Sequence, residues 1–376
     1  MIPLNSNLSG LRRSGIRLYT NLAKTIPDCV MLTIGEPDFD TPPAVKAAAV
    51  AALGENRTHY APNQGVETLR REIAEFESRR GYTCSADRIL VTVGATGALF
   101  TALLGILNPG EEVVIPTPAF PLYESIVIAA GAKPVFLNIG KSDFQMTEAV
   151  LESVVTEKTK AIILNSPNNP TGTVLNADSL AAVKKTVAGK PIFIICDNVY
   201  QGLSRVPAPD LSLDPELKEQ ILLCQSFSKP YAMTGWRVGY LAGPADVMER
   251  LLLLSAAEIA AVPTFLQDAC VAALKEDPSA MAEVYARRRA LVTERLMGMG
   301  LKFPEPRGAF YVFPDISPYG MTDEEFCTRL ITEGGVATVP GSCFGCPGHI
   351  RISYCCSDAD LEKGMDRLES FLKTIT

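Results

Sequence analysis

The chain has 376 residues, of which 47% are apolar and 20% charged, and its formal net charge is -7. That length predicts two domains, and the composition is that of an ordinary soluble globular enzyme. The acidic balance excludes a nucleic-acid partner, which would need a basic surface, and no apolar run reaches the roughly 20 residues of a membrane span.

The longest apolar run, "LLLLSAAEIAAV" from Leu251, carries Glu258 and stops at Pro263. The N-terminal "MIPLNSNLSGLRRSG" has no apolar h-region, so no signal peptide is expected. Ten cysteines at irregular spacing predict reduced thiols and a cytoplasmic setting.

In chain order, "VMLTIGEPDF" predicts a strand and a turn, and then the pattern alternates. β-rich runs lie at 88–93 "RILVTV", 111–116 "EEVVIP", 133–139 "KPVFLNI", 160–166 "KAIILNS", 191–197 "PIFIICD", 220–226 "QILLCQS" and 237–243 "RVGYLAG". Helical stretches such as "ATGALFTALLGIL" and "AFPLYESIVIAAG" separate most of them. Continuous apolar strands alternating with helices predict an α/β fold with a mainly parallel sheet flanked by helices. From Ala280 the character changes. "MAEVYARRRALVTERLMGMG" reads as a long amphipathic helix, "GAFYVFPDI" and "HIRISY" as strands, and "DADLEKGMDRLESFLKTI" as a closing helix. The expected division is a large domain over 41–280 and a smaller α+β domain over 281–376, with residues 1–40 returning to pack on it.

In parallel sheets ligands bind beyond the carboxyl ends of the strands. The segments following the predicted strands are "GATG" after Val93, "TPAF" after Pro116, "NSPNNPTG" after Leu164, "DNVY" at Asp197, and "SFSKPYAMTGWRVGY" from Ser226. Chemically suggestive residues thus converge on one rim. A lone lysine is ordinarily solvated, but Lys229 lies among the hydroxyls of Ser226, Ser228 and Thr234 and near Arg237, whose guanidinium can clamp an anion. The "GATG" turn offers backbone N–H groups at a helix start, a ready phosphate cradle. A phosphate site beside a strand-end lysine points to a phosphorylated aldehyde held as a Schiff base. Asp197 could be a helix cap; alternatively, it would pair with a pyridinium nitrogen and keep it protonated. Asn169 and Tyr200 are the types to hydrogen-bond a ring oxygen, and Phe120 to cover a ring face.

Together "IGEPDFDTP", "SPNNPTG", "CDNVY", "SFSKPYAMTGWRVGY" and "HIRISY" resemble, in order, the pyridoxal-phosphate-dependent aminotransferases of fold type I, class I/II, over about the whole chain. The resemblance implies pyridoxal 5'-phosphate as cofactor and transfer of an amino group from an L-amino acid to a 2-oxo acid by a ping-pong route. It implies that Lys229 is the Schiff-base and proton-shuttling lysine, Asp197 the partner of the pyridine nitrogen, and Tyr200 and Asn169 the ligands of the ring oxygen. Ser226, Ser228, Arg237 and the Ala95–Thr96 turn would hold the phosphate, and Phe120 would stack on the ring. Tyr60 would reach the phosphate of a neighbouring subunit, which implies a homodimer with shared sites. Arg351 would grip the substrate α-carboxylate, helped by Asn169 and the Gly35 backbone.

Two positions depart from the pattern. The stacking position, often Trp or Tyr, holds Phe120. Where an aspartate-specialised branch has an arginine shortly before the position of Pro263, this chain has "SAAEIAAVPT", with Glu258 and no basic residue. Neutral, aromatic or even cationic donors are therefore expected to be accepted. The nearest rival is a carbon–sulfur β-lyase on the same fold.

Three weaker signals are read as structural. "CFGCPGH" at 343–349 is an incomplete zinc set, so packing thiols and no metal are expected. No G-x-S-x-G serine elbow is present, and "GKS" at Gly140 lacks the first glycine of a P-loop. Arg287–Arg289 reads as a solvated helix face.

Overall fold

The computed structural model describes residues 2–203 and 208–375. β1 (Val30–Met31) comes first. The main sheet follows, built from β2 (Ile89–Thr92), β3 (Glu112–Thr117), β4 (Lys133–Asn138), β5 (Thr159–Asn165), β6 (Phe193–Asp197), β7 (Ile221–Ser226) and β8 (Gly239–Ala242). Four short strands, β9 (Tyr311–Val312), β10 (Val336–Ala337), β11 (Val339–Pro340) and β12 (Ile350–Ser353), lie in the C-terminal part.

The main sheet has the order β2-β8-β7-β6-β5-β3-β4. All its neighbouring pairs are parallel except those made by β8, which runs antiparallel to both β2 and β7. Alternate residues supply two cores. Val114, Ile162, Ile194 and Leu223 face one cluster, and Val113, Ile163, Ile195 and Leu222 face the other. Burial on both faces explains the uninterrupted apolar runs in the sequence. β4 is the exception. It is an edge strand with both faces partly open, and Lys133 and Pro134 occupy the edge where an unpaired ladder would otherwise invite association. β8 begins two residues later than the apolar run predicts, because Arg237 has φ 57°, in the left-handed region.

A third core joins Tyr19, Val30 and Leu32 to the helices Ser279–Gly298, Asp323–Thr332 and Asp358–Ile375. β1 pairs in parallel with β10, Val30 opposite Val336, and this ties the N-terminal segment to β10. The solvated-face reading of Arg287–Arg289 fails at Arg288. That side chain is buried, and it forks onto Asp38 at 2.7 Å through both terminal nitrogens while its Nε donates to Asp358 at 2.7 Å. A helix periodicity cannot reveal this, because both carboxylates arrive from distant segments. Among the described residues no helix is long and apolar enough to cross a membrane, and all ten cysteines are free thiols.

Candidate active site

β2, β3, β5, β6 and β7 end on one rim of the sheet, and β8 starts there. A cavity of about 270 Å³ opens beyond it. It is lined by Gly35, Ala95, Thr96, Phe120, Asn169, Asp197, Tyr200, Ser226, Ser228, Lys229, Arg237 and Arg351, which are the residues singled out from sequence with the exception of Tyr60. Tyr60 is 93% exposed and lies elsewhere on the surface. Glu258 also lies outside the cavity, where it accepts a hydrogen bond from Thr101 Oγ1 at 3.2 Å.

Lys229 is half-buried on the cavity floor, and its Nζ donates to the Gly35 carbonyl at 2.5 Å. Burial, the largest influence, pushes its pKa down to about 8; Arg351 and Arg237 push the same way, against Cys355 and Glu36. Asp197 closes β6 and is buried. Burial pushes its pKa up to about 6, opposed by hydrogen bonds from Tyr123 and the Val199 N–H and by the Lys229 charge. Tyr123 Oη donates to Asp197 Oδ2 at 2.5 Å. Sequence reasoning missed Tyr123. The only available signal was its position three residues after Phe120, one helical turn onto the same face.

The "GATG" segment does open a helix, Gly94–Ile106. Gly94 has φ 66°, and a Cβ there would lie 2.7 Å from the Arg237 guanidinium. A Cβ on Gly239 would come within 2.6 Å of the Gly94 carbonyl carbon and 2.8 Å of the Ala95 nitrogen. The glycines therefore allow the helix start, β8 and Arg237 to close on a single point. There the free N–H groups of the first turn, the Ser226 and Ser228 hydroxyls and an exposed guanidinium surround a space suited to a phosphate dianion.

Arg351 is 2% exposed on β12. It donates to Asn169 Oδ1 at 2.8 Å and to the Thr33 carbonyl, and its Nε has no partner. Among the described residues it forms no ion pair. Its guanidinium instead lies between the rings of Tyr311 and Phe344, 4.5 Å and 4.9 Å from their centroids. A buried cation with an orphaned donor is unfavourable unless an anion arrives to pair with it. Asn169 is held in turn by Asn165, whose Oδ1 accepts from the Asn169 N–H at 2.8 Å and whose amide donates to the Asp197 carbonyl at 2.9 Å. Tyr200 Oη lies 3.0 Å from Tyr311 Oη. Tyr311 and Thr33 were not identifiable from sequence, because they reach the site from separate segments, whereas Phe344 belongs to a loop that in the resembled family lines the substrate pocket.

His349 stacks flat on Phe313, with centroids 5.0 Å apart, and its Nδ1 is 3.7 Å from Cys346 Sγ. The "CFGCPGH" segment is thus tied into an aromatic cluster beside the cavity.

The residues present fit pyridoxal phosphate. There is an amine of lowered basicity, a buried carboxylate awaiting a cation, a cradle that a single Cβ would fill, and an orphaned guanidinium for a carboxylate.

The profile described as "Aminotransferase class I and II" matches residues 27–368. The chain is similar to the aspartate aminotransferase of Pyrococcus abyssi (strain GE5 / Orsay), 39% identical over 385 residues and covering 99% of each chain. It is also similar to the aromatic-amino-acid aminotransferase 2 of Thermococcus litoralis, 38% identical over 387 residues with 99% of each covered. Among solved structures, aspartate aminotransferase from Thermus thermophilus with maleate superposes with a TM-score of 0.93 at 34% identity, over 98% of this chain and 100% of that one. With a fold-type-I sheet, a cavity built for a phosphorylated pyridine aldehyde and relatives along its whole length, this chain belongs to the class I and II aminotransferases, enzymes that move amino groups with pyridoxal phosphate.

Proposed function

We propose that this aminotransferase takes its amino group from L-amino acids with uncharged, apolar or aromatic side chains and passes it to a 2-oxo acid in two half-reactions. The observation that carries the reading is the inventory of cations lining the cavity: Lys229, Arg237 and Arg351. Arg237 serves the phosphate and Arg351 the α-carboxylate, so among the described residues lining the cavity no cation remains for a second substrate carboxylate. Ile16, Ile34 and Leu99 give the cavity an apolar wall. The match to an aminotransferase named for aromatic amino acids is consistent with such a wall.

When bound, pyridoxal phosphate supplies an aldehyde carbon for the amino group and an electron-withdrawing ring that acidifies Cα. The chain's own residues do the rest. The Ala95–Thr96 amides, Ser226, Ser228 and Arg237 fix the phosphate. Asp197 holds a proton on the ring nitrogen, and Tyr123 holds Asp197. Tyr200 and Asn169 donate to the ring oxygen, and Phe120 covers the ring face. Arg351 fixes the substrate carboxylate so that the Cα proton faces Lys229 Nζ, which removes it and returns it on the other side of the transfer. Lys229 suits this task because burial lowers its proton affinity towards neutrality.

We assign residues 41–280 to the cofactor-holding unit and residues 1–40 with 281–376 to the unit that closes over the substrate and excludes water. Separate cores on the sheet and around the C-terminal helices support the division. The active form is a homodimer in which Tyr60 completes the neighbouring phosphate site, and its 93% exposure in the single chain supports that role. The setting is the cytoplasm, consistent with ten free thiols.

A donor and acceptor screen tests the substrate reading. Phenylalanine, tyrosine or leucine should be used with KM values below those of aspartate and glutamate, and initial rates should give parallel double-reciprocal lines. Activity confined to aspartate and glutamate overturns it. Donor supplied without acceptor should give a single turnover; continuous release of pyruvate and ammonia would indicate the lyase instead.

A further inference from the structure

Tyr311 enters the cavity from β9, in the third core, and is 2% exposed. Its two ends touch different parts of the site. The hydroxyl is 3.0 Å from Tyr200 Oη, and the ring face lies under the Arg351 guanidinium with 4.5 Å between guanidinium carbon and ring centroid. The chain leaves room for it deliberately at Gly35, where a Cβ would stand 1.8 Å from Tyr311 Oη. Gly35 is also the residue whose carbonyl receives Lys229 Nζ.

We propose that Tyr311 is a positioning residue that orients the Tyr200 hydroxyl towards the cofactor's ring oxygen and holds the Arg351 guanidinium at the height of the substrate carboxylate. The proposal rests on the assignment of Tyr200 to the ring oxygen and of Arg351 to the α-carboxylate. The physical argument for the first part is the direction of donation. A phenol has one proton, so Tyr200 can donate to the ring oxygen only if it does not donate to Tyr311. Tyr311 must then donate to Tyr200, and a hydroxyl that accepts one hydrogen bond donates the next more strongly. For the second part, a guanidinium over an aromatic face gains electrostatic attraction that is larger away from water, and stacking restricts it to one plane. That restriction matters because no carboxylate among the described residues pairs with Arg351 to aim it.

Two variants separate the parts. Tyr311→Phe removes the hydroxyl and keeps the ring; Tyr311→Leu removes both. The primary readout is the pH midpoint at which the visible absorbance of the cofactor-loaded enzyme changes. Removing the Tyr311 hydroxyl weakens the Tyr200 donation to the anionic ring oxygen and so raises the midpoint, by up to about half a unit, less than the loss of the Tyr200 hydrogen bond itself. The other charged groups facing Tyr200 are Arg351 and Asp197, which both variants retain. The second readout is the dissociation constant of 3-phenylpropionate, an unreactive carboxylate, from the loaded enzyme.

Tyr311→Phe should raise the midpoint and leave 3-phenylpropionate binding within about twofold, since the ring that carries the cation–π contact is retained. Tyr311→Leu should raise the midpoint equally and weaken that binding roughly tenfold. Tyr200→Phe should raise the midpoint further than either, and adding Tyr311→Phe to it should add nothing. A shift in Tyr200→Phe with none in Tyr311→Phe overturns the orienting role. No shift in Tyr200→Phe overturns the underlying assignment of Tyr200. Unaltered binding in Tyr311→Leu overturns the role towards Arg351, and if that variant does not fold, weakened binding in Tyr311→Phe overturns the division of labour between ring and hydroxyl.

Discussion

Lys229 and Arg351 both carry charge where the surroundings oppose it, and they respond differently. An ammonium can shed its proton, so burial appears as a pKa lowered to about 8 from an unfolded value of 10.5. A guanidinium cannot, so Arg351 remains charged and waits for an anion. The linkage for Lys229 has a definite sign. Between about 8 and 10.5 the unfolded chain binds more protons at this site than the native one, so this contribution to stability is present above 10.5 and is lost as pH falls through about 8. Lys229→Met should therefore stabilise the cofactor-free protein, by on the order of 2 kcal/mol at pH 7 after allowing for partial solvation, with a smaller gain at pH 9. Thermal unfolding of the stripped protein at the two pH values checks this, and equal gains would refute it. The sequence showed that Lys229 is exceptional through its neighbours in "SFSKPYAMTGW". It did not show Tyr123 behind Asp197, because a tyrosine at the start of an apolar helix is ordinarily core.

At the scale of elements, the anion cradle is a junction of three backbones. The start of Gly94–Ile106, the first residue of β8 and the left-handed turn at Arg237 meet within van der Waals distance only because Gly94 and Gly239 lack side chains. Gly239→Ala would drive a methyl group against backbone atoms of Gly94, Ala95 and Gln225, none of which can rotate away. Overpacking of this kind costs about 1–3 kcal/mol, and here it displaces the helix start from its anion. We expect the variant to lose several degrees in Tm and to bind pyridoxal phosphate at least tenfold more weakly in an equilibrium titration; retention of both values would show that the junction has slack. The motif "GWRVGY" marks Gly239 in the sequence, but its contact with "GATG", more than a hundred residues away, exists only once β8 pairs with β2.

At the scale of the whole molecule, several apolar side chains remain uncovered, among them Ile2, Leu4 and Leu18 near the N-terminus and Tyr60 after the first helices. A chain this size ordinarily exposes scattered apolar residues, so Tyr60 is the informative one. The assembly reading makes a sharp prediction. Tyr60→Ala and Lys229→Ala should each be nearly inactive alone, but refolded together they should exceed the sum of the separate activities, because a mixed dimer contains one site with both residues intact. An activity equal to the sum would refute shared sites. Light scattering of the parent protein checks the dimer itself.

The order of apolar runs and helices was enough to locate the seven main strands to within about two residues, since strands buried on both faces leave an uninterrupted signal that needs no partner to be recognised. Motifs at strand ends were enough to bring ten of the thirteen candidate residues to one cavity, because in a parallel sheet the strand ends share a rim; Gly35 and Arg351 line it too, but only the family resemblance pointed to them. Long-range pairing decided the remainder. Arg288 left the solvent for two distant carboxylates, Arg351 entered a stack of two rings, and Tyr311 met Tyr200 within the third core across 111 residues of chain. Each of these depends on which side chains the packed cores bring within a few ångströms, and local periodicity, which reports only the face on which a residue lies, carries no information about what will face it.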